Sequence, residues 1–120
     1  MVTLFLFLAT FVLDYLYMIS KDLIFNIQTE AEFKATALDV FKFQFEHNSV
    51  YRSFCDLLYK HPSGIQSIEE IPFLPIEFFK TRSVVSSNKP AQATFTSSGT
   101  TGSIISKHFV SDLEIYKHSF

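Results

Sequence analysis

Apolar residues at helical spacing dominate the middle of this chain. Thr29 and Glu32 form a capping-box pair: the hydroxyl can accept a hydrogen bond from a free backbone N–H, and the carboxylate can accept one in return. We therefore expect a helix to begin there. The residues that follow recur every three or four positions and predict one buried stripe, made of Phe33, Ala37, Val40, Phe41 and Phe45.

A second helix is predicted directly after the first. Asn48 is a suitable N-cap, and His61-Pro62 together with Gly64 ends the helical pattern. The two helices therefore predict a helical hairpin. The apolar face expected on the second helix consists of Val50, Phe54, Leu57 and Leu58.

The connection to the second half of the chain is short. Ser67 and Glu70 predict one brief helical turn. Pro72 and Pro75 cannot continue a helix, so residues 71–76 are predicted to be extended.

The second half changes to β-branched residues, which favour strands. We predict strands over residues 82–86, 92–96 and 104–110. Ser111 and Glu114 form another capping-box pair and predict a final helix. The expected fold class is α/β, with the N-terminal helical hairpin followed by part of a mixed sheet.

Composition and charge exclude several classes of protein. Twelve acidic against ten basic residues give a net charge of -2 with no long basic run, so we expect no nucleic-acid partner. The single cysteine, Cys55, excludes an internal disulfide and an all-cysteine metal site. It falls on a helical pattern and is expected to be packed and inert. The histidines show no metal-ligand spacing, and we predict no metal site. Cysteine usage favours a reducing compartment, and hence the cytoplasm.

An apolar segment, residues 1–17, precedes the helices. It is too short to span a membrane, and it lacks the basic flank of a secretory signal. We interpret it as an upstream extension, with translation starting at Met18 in place of Met1, and we assign residues 18–120 to one domain. The alternative is a small membrane-associated interaction module in which residues 1–17 insert into the bilayer.

Seven residues between the last two predicted strands carry no apolar side chain. They are Thr96, Ser97, Ser98, Gly99, Thr100, Thr101 and Gly102. Glycines let backbone N–H groups approach a phosphate closely, and hydroxyls add further hydrogen bonds. The spacing differs from that of a Walker loop and of a dinucleotide-binding loop. Composition alone leaves two interpretations open: a phosphate-binding loop or an ordinary hairpin turn.

The same string resembles the Ser/Thr/Gly-rich phosphate-binding signature of the adenylate-forming enzymes. The block Ile-Pro-Phe-Leu-Pro-Ile-Glu-Phe-Phe-Lys at residues 71–80 and the segment at residues 106–112 are similar, in this order, to the acyl-protein synthetases of bacterial luminescence, the LuxE type. Residues 48–55 and the helix before them also resemble that family. The resemblance runs from about Ile24 to Phe120.

This resemblance implies a ligase that uses ATP and Mg²⁺ to convert a fatty acid, or another carboxylic acid, into an acyl-adenylate. The acyl group would then pass to a protein thiol or, in a related ligase, to coenzyme A. The resemblance also implies that the chain is the N-terminal part of such an enzyme and inactive alone. The catalytic residues stay unassigned. The residues assigned to the ATP phosphates are Ser97, Ser98, Gly99, Thr100, Thr101 and Gly102, with Lys107 and His108 as further candidates.

Overall fold

The computed structural model describes residues 24–86, 88–97 and 103–119. The segment at residues 1–17 lies outside the described residues. The helices and strands are α1 (Glu30–His47), α2 (Ser49–Leu57), α3 (Glu77–Thr81), β1 (Ala93–Thr96), β2 (Lys107–Val110) and α4 (Leu113–His118), with 3₁₀ turns at Pro62–Gly64 and Ile68–Glu70. None of the helices in these three ranges combines the length and the apolar character that crossing a membrane requires.

The helical hairpin of α1 and α2 is confirmed. At the start of α1, the Thr29 hydroxyl accepts from the Glu32 N–H at 3.2 Å, and the Glu32 carboxylate accepts from the Thr29 N–H at 3.2 Å. Backbone donors at Gln28 and Thr29 also hold the pKa of Glu32 below its usual value. Asn48 ends α1 and caps α2, because its Oδ1 accepts from the Tyr51 N–H at 3.0 Å. One residue thus forms the corner of the hairpin.

Helix α1 is buried on two sides, which differs from the single stripe predicted for it. Phe41 and Phe45 enter a large core cluster, whereas Val40 packs in a second cluster with Val110 and Ile115. Phe33, at the start of the predicted stripe, is 37% exposed. The predicted stripe is therefore not buried along its whole length.

Helix α2 buries part of the predicted face, because Val50 and Phe54 are partly buried against the large cluster, but its most enclosed side chains were not predicted. Tyr51 and Cys55 are fully enclosed, and both belong to the large cluster. Leu57 and Leu58 are 75% and 46% exposed, so their predicted place in the core was wrong. The hydroxyl of Tyr51 donates to the carbonyl of Pro72 at 2.6 Å, which turns this face towards the proline-rich connection. The buried members of the large cluster are Phe41, Phe45, Tyr51, Cys55, Ile65, Ile71, Leu74, Phe79 and Val84.

The sheet is smaller than predicted. In the described ranges it consists of β1 and β2, which pair antiparallel. This small sheet among helices is consistent with the expected α/β class, and no further strand of a mixed sheet is found in those ranges. Residues 82–86 do not form the predicted strand. Val84 instead enters the core, and the Ser86 hydroxyl donates to Gln44 Oε1 at 2.6 Å. This segment is therefore held by side chains of α1 and the core, not by a strand ladder.

The Cys55 thiol is expected to stay unreactive in the folded protein. Its side chain is fully buried, and burial raises the pKa of the thiol to about 11, so little thiolate forms near neutral pH. A colorimetric disulfide reagent at pH 8 should therefore leave the native protein unlabelled and label one thiol per chain in guanidinium chloride. Rapid labelling without denaturant would show that the α2 face is open to solvent.

Candidate phosphate-binding loop

The predicted loop connects strands β1 and β2. Their register pairs Ala93 with Val110 at one end and Thr96 with Lys107 at the other. Two predicted strands are thereby confirmed at shorter length, since β2 begins at Lys107 and not at residue 104. The loop at residues 97–106 therefore joins two neighbouring strands.

The base of the loop is closed by two hydrogen bonds between the same pair of residues. The Ser97 N–H donates to the Ser106 carbonyl at 3.2 Å, and the Ser106 N–H donates to Ser97 Oγ at 3.0 Å. Ser106 is only 1% exposed. Among the predicted phosphate residues, Ser97 thus has a structural contact at the base of the loop. The residues predicted between these closing contacts, Ser98, Gly99, Thr100, Thr101 and Gly102, lie outside the described part of the chain.

The two further candidates lie directly beside this base. Lys107 is exposed and pairs with Thr96, the first residue of the polar string. His108 is half-buried, with Nε2 3.1 Å from Ser106 Oγ. Burial lowers the pKa of His108 below its ordinary value of 6.5, which favours the neutral imidazole near pH 7. The structure therefore places an exposed cationic side chain and a neutral ring at the same end of β2.

The ring of His108 also contacts a distant part of the sequence. It stacks on Phe79 of α3, with the ring centroids 4.7 Å apart and the planes inclined by 27°. Phe79 is 4% exposed and follows the buried Ile71 and Leu74 in the large cluster. The proline-rich block and the strand after the loop, which are separate in sequence, are thus in direct contact.

Sequence reasoning missed two residues of this site. No local pattern in the sequence predicts that Phe79 contacts the strand after the loop, because the two positions are far apart in the chain. Ser106 falls inside a predicted strand, where no special role is expected. The one available signal was its polarity within the otherwise β-branched and apolar stretch at residues 104–106.

The arrangement suits anion binding better than acid–base chemistry. The loop sequence offers hydroxyls and glycine N–H groups, and Lys107 adds a positive charge next to it. Within residues 24–86, 88–97 and 103–119, no three His, Cys, Asp or Glu side chains are grouped to hold a metal ion.

Comparison with known proteins agrees with the resemblance of the loop and the proline-rich block. The family model described as "Acyl-protein synthetase, LuxE" matches residues 8–116, a range that starts within the apolar segment and runs through the loop. A "Long-chain-fatty-acid--luciferin-component ligase" from Photorhabdus luminescens is 37% identical over 70 residues, which cover 58% of this chain and 60% of that relative. No solved structure gave a significant match. The chain belongs to the LuxE family of acyl-protein synthetases.

Proposed function

We propose that this chain supplies the N-terminal, phosphate-binding part of an ATP-dependent ligase that activates a long-chain fatty acid and passes the acyl group to a protein thiol. The observation that carries the proposal is the family match over residues 8–116, because it spans both the polar string and the strands that present it. The name of the relative from Photorhabdus luminescens supports a long-chain fatty acid as substrate. The aligned part covers 60% of that relative.

In the proposed reaction, the fatty-acid carboxylate attacks the α-phosphorus of ATP. An acyl-adenylate forms and pyrophosphate leaves with the electron pair of the broken P–O bond. Donors fixed around the departing phosphates stabilise the charge that develops on them. We assign this role to the hydroxyls of Ser98, Thr100 and Thr101 and to the backbone N–H groups of Gly99 and Gly102.

Mg²⁺ fits this scheme as a partner of the nucleotide. The described residues hold no cluster of metal ligands, and Mg²⁺ commonly binds through substrate phosphates while it keeps several waters. Bound there, it would neutralise part of the phosphate charge. The role that we propose for the chain is to hold the phosphates. We also propose that the reaction takes place in the cytoplasm, where ATP and reduced thiols are available.

Calorimetric titration of the 120-residue chain tests the proposal. ATP and inorganic tripolyphosphate should bind with similar affinity, and adenosine should not bind, because the loop recognises phosphates alone. Thr100→Val should weaken binding by roughly tenfold or more, since a hydrogen bond to a charged group contributes about 1.5–3 kcal/mol.

The matched control is Thr94→Val, the same substitution at an exposed position of β1. It should bind tripolyphosphate like the unmodified chain. Absence of any binding, or equal losses in both variants, would contradict a phosphate site in this loop.

A further inference from the structure

We infer that His108 is a positioning residue for the phosphate-binding loop and that it acts through Ser106 and Ser97. The inference rests on the proposed function, because it assigns a support to the loop that the proposal places around the phosphates. It concerns residues that the structure describes on both sides of the loop.

Ser106 is the residue that connects His108 to the base of the loop. Its carbonyl and its N–H both bond to Ser97, at 3.2 and 3.0 Å, so the position of Ser106 constrains the first residue of the loop. Its side chain is buried, so the contact that its hydroxyl makes with His108 lies inside the fold.

His108 connects Ser106 to the core. Within the described residues its Nδ1 is buried without a hydrogen-bond partner, so the polar contact of the ring is the one between Nε2 and Ser106 Oγ, at 3.1 Å. The face of the ring rests on Phe79, which is fixed in the large core cluster. His108 thus connects the loop base to α3, because its ring stacks on Phe79 and its Nε2 contacts the Ser106 hydroxyl.

The chemistry of His108 favours positioning over direct contact with phosphate. Its burial disfavours the charged form, so near neutral pH the ring brings no positive charge to the site. Ser106 also lies between the ring and Ser97 in this series of contacts. His108 fixes the orientation of the first residues of β2. This lowers the conformational-entropy cost of ordering the loop when a ligand binds.

Two substitutions of His108 distinguish the contribution of its aromatic ring from that of the hydrogen bond made by Nε2. His108→Phe keeps an aromatic face for Phe79 and removes Nε2, whereas His108→Gln removes the ring and keeps an amide nitrogen at a similar distance from the backbone. Tripolyphosphate affinity, measured by calorimetry, should fall about two- to tenfold in His108→Phe, as expected for one neutral hydrogen bond. His108→Gln keeps the hydrogen bond but loses the contact with Phe79, so its affinity should lie between that of His108→Phe and that of the unmodified chain.

Ser106→Ala tests the same hydrogen bond from the other side, and it remains informative if His108→Phe fails to fold. It removes the other partner of the same hydrogen bond and should cause a similar loss of affinity. The double variant Ser106→Ala/His108→Phe should lose little more than either single variant. Thermal unfolding of every variant shows whether the loss occurs in a folded protein.

The outcomes distinguish this inference from the proposed function. If the unmodified chain binds tripolyphosphate and His108→Phe binds it equally well, the positioning role is wrong and the phosphate site stands. If His108→Gln is as weak as His108→Phe, general packing and not the hydrogen bond is responsible, and the inference is again wrong. If the unmodified chain does not bind tripolyphosphate, the proposed function fails first, and the inference fails with it.

Discussion

Replacing Thr100 with Val in a synthetase that carries this region is expected to slow acyl-adenylate formation by about 10²-fold or more. The substitution removes one hydroxyl at nearly constant side-chain volume. A donor directed at charge that develops in a site shielded from water is worth roughly 2.7–4 kcal/mol in the transition state. ATP–pyrophosphate exchange in the presence of a long-chain fatty acid measures the effect, and melting temperature shows whether the fold is retained.

Three comparisons make this result interpretable. Thr94→Val on β1 should exchange at the normal rate. The 120-residue chain alone should show no exchange, because we propose that it supplies only the phosphate-binding part. If the polar string is merely a hairpin turn, Thr100→Val will be silent, while Gly99→Ala will lower stability wherever that glycine needs a positive φ.

Replacing Phe41 with Ala is expected to reduce the free energy of unfolding by about 3–5 kcal/mol. Phe41 is 3% exposed, and its ring meets that of Tyr51 edge to face with the centroids 6.1 Å apart. The substitution leaves a cavity between α1 and α2 that the surrounding side chains cannot fill without moving. Urea unfolding followed by circular dichroism measures the loss.

Phe33→Ala is the matched control for this prediction, because it makes the same change on the same helix at a side chain that is 37% exposed. It should cost clearly less than Phe41→Ala, since part of the transfer term is missing and a surface position leaves no enclosed cavity. Equal losses at the two positions would mean that residues before α1 cover Phe33. That result would move the start of the core towards the N-terminus.

The elements that could be predicted from sequence depend on contacts a few residues apart. The capping box at Thr29 and Glu32 and the cap at Asn48 were predicted because donor and acceptor lie three positions apart. The last helix was also predicted, but its cap is Asp112, which accepts from the Glu114 N–H, and not Ser111. Both side chains can cap, and the backbone position of the helix start decides between them.

The strand predicted at residues 82–86 failed for a reason that sequence does not contain. β-Branched residues favour a strand only where a neighbouring strand is available to pair with them. Here Val84 fills the core, and Ser86 bonds to Gln44, a side chain 42 positions earlier. Side-chain burial in the tertiary fold overrode local preference.

In the candidate site, too, local features could be predicted from the sequence and long-range contacts could not. The polar string and the strands around it were predicted from composition, and the family was identified from the string together with the proline-rich block. The stacking of His108 on Phe79 was not predicted, because it requires α3 to lie against β2, and the burial of Ser106 was not predicted either. Such contacts come from the packing of elements, and no spacing in the sequence encodes them.

The burial of α1 on two sides has a consequence for how the protein unfolds. Val40 and Phe41 are neighbours in the chain but belong to different clusters, one shared with β2 and α4 and the other with α2 and α3. Neither cluster can open without uncovering part of the same helix, so each is expected to lose stability when the other does. Hydrogen exchange should therefore report similar opening free energies for amides in the centre of α1 and in β2, as a single cooperative unit would give.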